Sequence, residues 1–372
     1  MKAKHAKKYY YDVSDAINRY PDAVIYGIVG GRNTGKTYSA LVREAITEKF
    51  KFVFVKRTIE DVKILCAGSG NIKNKQHEFS VDLSPFVAIN RDYITNIRAF
   101  SIIPGLGAFF PCDEDNNPTG EAIGYIVALN AVSKVKGFDL SVCDEMIFDE
   151  FIPQPWDRIN RREGEQLMEL YKTVSRDREH RGKPPLKLIL LANATMAQNP
   201  VFDTLEVVDK MVEMQLNDIE EYYDEERGIY LQRLETSEEF RAVEEQSKIY
   251  RAMTGTQWAA MALDNSFAYD DFSNVKKLDL RKYKLMYTFV HKRKKYYIYN
   301  NGNMWYISGR QNGKAADIDR FDLSRQVEAE RFYYRVIMDL RVQAIEDKVL
   351  FDSYSIYDLF MNYKKHYNVG MR

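Results

Sequence analysis

A nearly unbroken apolar run, AVIYGIV at residues 23–29, leads straight into Gly30-Gly31-Arg32-Asn33-Thr34-Gly35-Lys36-Thr37. No other stretch limits the possible folds as strongly. An apolar run of that length is a strand buried on both faces, as in a parallel sheet. The octapeptide fits G-x-x-x-x-G-K-[ST], in which glycines let backbone N–H groups turn inward around phosphate oxygens. In that pattern Lys36 reaches the β- and γ-phosphates and the Thr37 hydroxyl ligates Mg²⁺. A helix expected over residues 36–49 starts inside the loop and adds its N-terminal partial charge. The rival reading, a glycine-rich turn with an incidental lysine, leaves the flanking strand and helix unexplained.

Strand and helix patterns continue to alternate after the loop. Strand-like runs fall at residues 52–56 (FVFVK), 98–103, 122–129, 145–148 and 186–191. A helix expected at 163–178 carries Leu167, Leu170, Tyr171 and Val174 at one-face spacing. Buried strands alternating with helices indicate an α/β fold with a mostly parallel sheet. From about residue 205 the composition turns acidic, which reads as a linker with connecting helices over 205–254, including a capping box at Thr236 and Glu239. Beyond it the pattern is hairpin-like: LMYTFVHK, KKYYIYN, a turn at Asn301-Gly302 and MWYIS, then helices near 324–344 and 355–363. The expected organisation is therefore an α/β domain over 1–204, the linker, and a smaller α+β domain over 255–372. A length of 372 residues suits two domains, and 45% hydrophobic residues suffice for full cores.

Charge and cysteine content narrow the function classes. Basic and acidic side chains balance at 54 each, so any nucleic-acid contact must be a local patch rather than a global field. The three cysteines form no CxxC pair, which argues against a disulfide framework or structural zinc. The basic start, with Lys2, Lys4, Lys7 and Lys8, has no apolar segment after it and reads as a basic arm rather than a signal peptide. A soluble, intracellular protein without membrane contact is expected.

A phosphate loop calls for an acid at the end of a neighbouring strand, to hold Mg²⁺, and commonly a second to polarise water. CDEMIFDEF offers two pairs, Asp144-Glu145 and Asp149-Glu150. The strand argument favours Asp149 for the metal and Glu150 for the water, with the earlier pair left open. Asn193, after the 186–191 strand, could sense the γ-phosphate or merely cap a turn. Lys56 and Arg57 end the second strand, at the edge where such sheets bind ligands or partners; a solvated strand end is an equally good reading of both. Arg176 and Arg178 end the 163–178 helix; Arg178 continues its packed stripe, whereas Arg176 points away from it and is either a solvated arginine or a finger reaching a neighbouring subunit's ATP. Lys292, Arg293, Lys294 and Lys295 sit between two strands, where they suit either a nucleic-acid backbone or a soluble turn.

GGRNTGKT, FVFVKR, IFDEFIP, YKTVSRDREHR and LLANAT, in that order, together with RAMTGTQWAAMALDNSF and VLFDSYSIYDLF near the end, resemble the DNA-packaging ATPase of small phi29-type tailed phages. The resemblance implies an ASCE-type P-loop NTPase domain followed by a vestigial RNase H-type nuclease, with ATP and Mg²⁺ as ligands. It implies that Gly30, Arg32, Gly35, Lys36 and Thr37 form the nucleotide loop and that Asp149 and Glu150 are the Walker B pair. Arg176 would act in trans, Asn193 would couple hydrolysis to movement, and Lys56 and Arg57 would lie near a DNA-facing or nucleotide-sensing loop as nucleic-acid candidates. It implies double-stranded DNA, a portal on the procapsid and a ring, usually of five subunits, and it admits a structural RNA. Such a protein acts in the host cytoplasm during assembly and is absent from the mature virion. The alternatives are a helicase-like remodeller and an ATPase joined to an active nuclease. LMYTFVHK, the expected first strand of the second domain, carries no Asp, which weighs against the nuclease.

Overall fold

The computed structural model describes the chain apart from residues 1–9, 68–70, 74–77, 81, 158–159, 235–240, 243–244, 257–266, 268, 313–317 and 371–372. The basic arm, the capping box at Thr236 and Glu239, and most of RAMTGTQWAAMALDNSF lie outside the described residues. The chain divides into two compact units, Met1–Val207 with Glu213–Tyr269, and Val208–Val212 with Asp270–Arg372.

In the first unit, eleven strands are described. They are β1 (Ile25–Gly30), β2 (Phe52–Lys56), β3 (Asn71–Lys73), β4 (Glu78–Ser80), β5 (Ile97–Ile103), β6 (Leu106–Pro111), β7 (Gly124–Ala128), β8 (Glu145–Asp149), β9 (Lys187–Asn193), β10 (Glu221–Asp224) and β11 (Ile229–Arg233). All but β3 and β4 form one sheet, in the order β10-β11-β1-β9-β8-β2-β7-β6-β5. The run from β11 to β7 is parallel, and antiparallel strands close both edges. Phe52–Val55, Met146–Phe148 and Leu188–Leu191 are buried throughout, because helices cover both faces of these central strands. One such helix, Glu163–Ser175, buries Leu167, Leu170 and Val174 as its spacing predicts. At Gly164 a Cβ would stand 2.2 Å from Thr204 Oγ1 and 2.3 Å from the Pro200 carbonyl. Only glycine lets that helix approach so closely.

The linker expected over 205–254 is corrected here. IEEYYDEERGIYLQ folds back as the β10–β11 hairpin, and β11 lies parallel to β1, with Tyr26 opposite Tyr230. Ile229, Tyr230 and Leu231 are buried against the core, while the carboxylates of β10 sit on the sheet's edge. Charge on an edge strand discourages pairing with another chain; it does not signal a linker.

The second unit is built on β12 (Lys284–His291), β13 (Lys294–Asn300), β14 (Trp305–Ser308), β15 (Arg320–Asp322) and β16 (Val349–Phe351). Their order is β15-β12-β13-β14-β16. Gly302, with φ 100°, completes the expected turn between β13 and β14. A helical stretch runs from Gln326 to Ile345 through a π-helical turn at Tyr333–Ile337. With the helix Tyr354–Met361 it covers one sheet face, where Phe289, Ile298, Phe332, Ile337, Leu340 and Phe360 form the core.

Candidate functional site

The first unit's site lies where β1, β8 and β9 end at the C-terminal edge of the sheet, as expected for open parallel sheets. Residues 31–35 leave β1 and turn back into the helix Lys36–Val42. Two residues on the loop adopt left-handed backbone, Asn33 at φ 61° and Gly35 at φ 86°. Asparagine and glycine are the residues that accept this conformation at least cost. The result is a cleft of about 340 Å³ lined by Arg32–Tyr38, Asp149, Glu150, Ala192 and Asn193.

Lys36 is 8% exposed and curls back on its own loop. Its ammonium donates to the Gly31 carbonyl at 2.7 Å and to Thr34 Oγ1 at 3.1 Å, with Gly30 O at 3.3 Å and Asn193 Oδ1 at 3.5 Å. Burial pulls its pKa down to about 8, against the opposing pull of Asp149 and Glu150. Asn193 ends β9 directly beside Gly30 in the sheet register, which brings it to the loop. The Thr37 hydroxyl donates to Asp149 Oδ1 at 2.6 Å. Glu150 follows in left-handed backbone, φ 57°, and its side chain is 66% exposed.

These positions separate the two acidic pairs. Asp149 is the last residue of β8 and meets Thr37, whereas Asp144 precedes the strand at the opposite edge of the sheet. There Asp144 accepts from Arg178 at 2.6 Å. Glu145 is buried with Arg43 and Glu44, its carboxylate 2.6 Å from the Arg43 guanidinium. The strand argument favours Asp149 and leaves the earlier pair open; the parallel register of β8 brings the Asp149 end to the loop.

The arginines divide as well. Arg178 is buried and donates to the carbonyls of Pro184 and Cys143 as well as to Asp144. It fastens the start of β8 in place. Arg176 follows its helix at a positive φ of 41° and holds the Phe138 carbonyl at 2.8 Å and Asp139 at 3.3 Å. Its helix leads from β8 back toward the start of β9, so Arg176 is not brought to the nucleotide cleft of its own chain.

Lys56 and Arg57, which end β2, both take partners on and around β8. Lys56 turns inward, 2.9 Å from Asp149 Oδ2. Arg57 grips the turn after β8 through the carbonyls of Glu150 and Phe151, at 2.9 and 3.1 Å, and pairs with the buried Glu163 at 2.9 Å. Burial holds the Glu163 pKa above its ordinary value, and Arg57 offsets only part of that rise. Both side chains are thus committed to acidic groups around Asp149, a role that strand position alone does not reveal.

The donor set can be tested against a metal–triphosphate. Hydroxyl and carboxylate oxygens converging at 2.6 Å are the hard ligands that Mg²⁺ takes. In the same cleft Arg32 Nε is buried without a hydrogen-bond partner among the described residues, a donor suited to an anion. The residues fit.

Residues 118–335, more than half of the chain, match the family described as Podovirus DNA encapsidation protein (Gp16). The chain belongs to this DNA encapsidation family. The DNA packaging protein of Bacillus phage B103 is 24% identical over 279 residues, covering 73% of this chain and 72% of that relative. A chain of the bacteriophage Phi-29 viral genome packaging motor assembly aligns at TM-score 0.61 and 16% identity, over 96% of this encapsidation protein and 99% of that chain. The Phi-28 gp11 DNA packaging motor aligns at 0.57 and 16%, over 96% of each. At that identity the likeness is one of fold, and it extends through both units.

In the second unit of the encapsidation protein the basic run forms the β12–β13 turn. Lys292 and Arg293 take φ 47° and 65°, the two-residue hairpin geometry that usually selects Asn-Gly. Lys292 through Lys295 are exposed. Among the described residues, no helix is long and apolar enough to cross a membrane.

Proposed function

We propose that this encapsidation protein binds ATP with Mg²⁺ in the cleft after β1 and uses hydrolysis to drive double-stranded DNA into a procapsid. The observation that carries the reading is the convergence of Lys36, Thr37, Asp149, Glu150 and Asn193 on one cleft, with Thr37 and Asp149 2.6 Å apart. Backbone N–H groups of residues 31–35 and the Lys36 ammonium would take the β- and γ-phosphates. Mg²⁺ held by Thr37 and Asp149 would supply charge neutralisation on the phosphates. Glu150 orients the attacking water, and Asn193 reports on the γ-phosphate to β9.

The ring, its count of five, the portal and a structural RNA follow from the family resemblance and form part of the proposal, as does the assignment of the second unit to a vestigial RNase H-type fold. The β12 strand supports the last point, since it carries no carboxylate. The exposed turn Lys292–Lys295 is the unit's candidate for a nucleic-acid backbone. Host cytoplasm, on the procapsid, is the corresponding location.

Turnover measured with and without DNA and empty procapsids tests the proposal. Double-stranded DNA plus procapsids should raise ATPase turnover roughly ten-fold, a coupling of about 1.4 kcal/mol. Stimulation by single strands alone would favour a helicase-like remodeller, and metal-dependent nicking of plasmid an active nuclease.

Arg176 is proposed to act on the cleft of a neighbouring subunit. Mixtures of Arg176→Ala and Lys36→Ala chains, each inactive alone, should regain turnover where an intact cleft meets an intact arginine. Mixtures as silent as their components would remove Arg176 from catalysis.

A further inference from the structure

Lys56 is the last residue of β2, and its side chain is only 18% exposed although it ends in a charge. The two oxygens of Asp149 are both engaged, Oδ1 by the Thr37 hydroxyl at 2.6 Å and Oδ2 by the Lys56 ammonium at 2.9 Å. Glu150 lies 3.9 Å from the same ammonium. Lys56 is therefore a cation held on the carboxylate assigned to a divalent metal.

A second cleft, of about 410 Å³, opens on the β2 side of Asp149. Lys56, Arg57, Asp61, Asp149, Glu150 and Asp157 supply its charged lining, and Phe54, Leu65 and Pro85 part of its apolar wall. Asp149 and Glu150 line both clefts, so Lys56 stands beside the partition between them. A monovalent and a divalent cation repel strongly at contact distance in a partly buried site. An ammonium on Oδ2 and a metal on the same carboxylate are thus in competition, and the four-carbon lysine stem allows the ammonium to move.

We propose that Lys56 is an internal competitor for the divalent cation: metal binding at Asp149 displaces its ammonium into the β2-side cleft, where Asp61 and Asp157 receive it. The inference rests on the nucleotide reading of the first cleft and adds to it a positioning residue. It makes the charge of the neighbouring cleft depend on whether the metal is bound. Arg57, tied to Glu163 and two carbonyls, keeps the turn after β8 in place while Lys56 exchanges.

The test is Mn²⁺ binding to the full chain in the presence of ADP, followed by electron paramagnetic resonance, with no turnover required. Lys56→Gln should bind Mn²⁺ at least roughly ten-fold more tightly than the wild type, because competition and repulsion are both removed. Lys56→Arg keeps the charge and should stay within about three-fold of the wild type. Asp61→Asn removes a landing site and should weaken Mn²⁺ binding about two- to five-fold when Lys56 is present, and not in the Lys56→Gln background. Thermal melts confirm that each variant is folded. Unchanged or weaker Mn²⁺ binding by folded Lys56→Gln overturns the competition, as does an equal effect of Asp61→Asn in both backgrounds. A wild-type chain that binds no Mn²⁺–ADP overturns the nucleotide reading itself, and the inference with it.

Discussion

Lys36→Ala is expected to weaken ATP binding roughly 30-fold or more without lowering the melting temperature. The first half follows from charge. The ammonium sits among the loop carbonyls at the place a triphosphate would occupy, in a cleft where water screens poorly. Truncating one partner of such a pair costs about 2–5 kcal/mol of binding. The second half follows from the lowered pKa. Burial brings Lys36 from 10.5 to about 8. The native chain then binds fewer protons than the unfolded chain between those values, so stability rises with pH across that window. At neutral pH the buried ammonium costs about 3 kcal/mol of stability. Alanine relieves that cost, so the variant should melt at or above the wild-type temperature.

The same shift gives the pH profile its sign. Binding requires the ammonium, so wild-type ATP affinity should be level below about pH 7.5 and fall as pH rises through 8. Lys36→Ala should be flat over the same range. Titration of a fluorescent ATP analogue reads both results. A variant that binds as tightly as the wild type would remove the cleft from nucleotide chemistry.

Some of this architecture was legible in residue order and some was not, for identifiable reasons. The loop after β1 was legible because strand, glycines, lysine and helix are contiguous, and each constrains the next. The β8 acids were legible in part. The strand argument favours Asp149 and leaves Asp144 open, and what separates the two is long-range: β8 runs parallel to β2 and β9, so only its far end meets Thr37. The β10–β11 hairpin was missed because acidic edge residues resemble a solvated linker, while the apolar half that buries against β1 is only a few residues long. Lys56 and Arg57 were placed at the right edge, but their partners within the chain were not legible. Strand position says where a side chain starts; the carboxylates and carbonyls of β8 decide where it ends.

Glu150→Gln is expected to lower ATPase turnover by roughly 10²–10⁴, the usual contribution of a positioned general base. ATP affinity should stay within about three-fold of the wild type and stability within about 0.5 kcal/mol. Glu150 can be changed this selectively because its side chain is 66% exposed and its closest ion-pair contact, with Lys56, is 3.9 Å long. Its backbone, not its side chain, holds the turn, through the carbonyl that accepts from Arg57. Glutamine keeps the shape and the hydrogen bonding but cannot take the proton from water. The acids at the other end of β8 should behave oppositely. Asp144→Asn and Glu145→Gln disturb a pairing with Arg178 and a buried cluster with Arg43, so they should lose stability and retain turnover per folded molecule. Single-turnover hydrolysis paired with thermal melts separates the two patterns. Normal hydrolysis in Glu150→Gln beside a folded but inactive Asp144→Asn would reverse the assignment, placing the reacting water at the edge of the sheet where β8 begins.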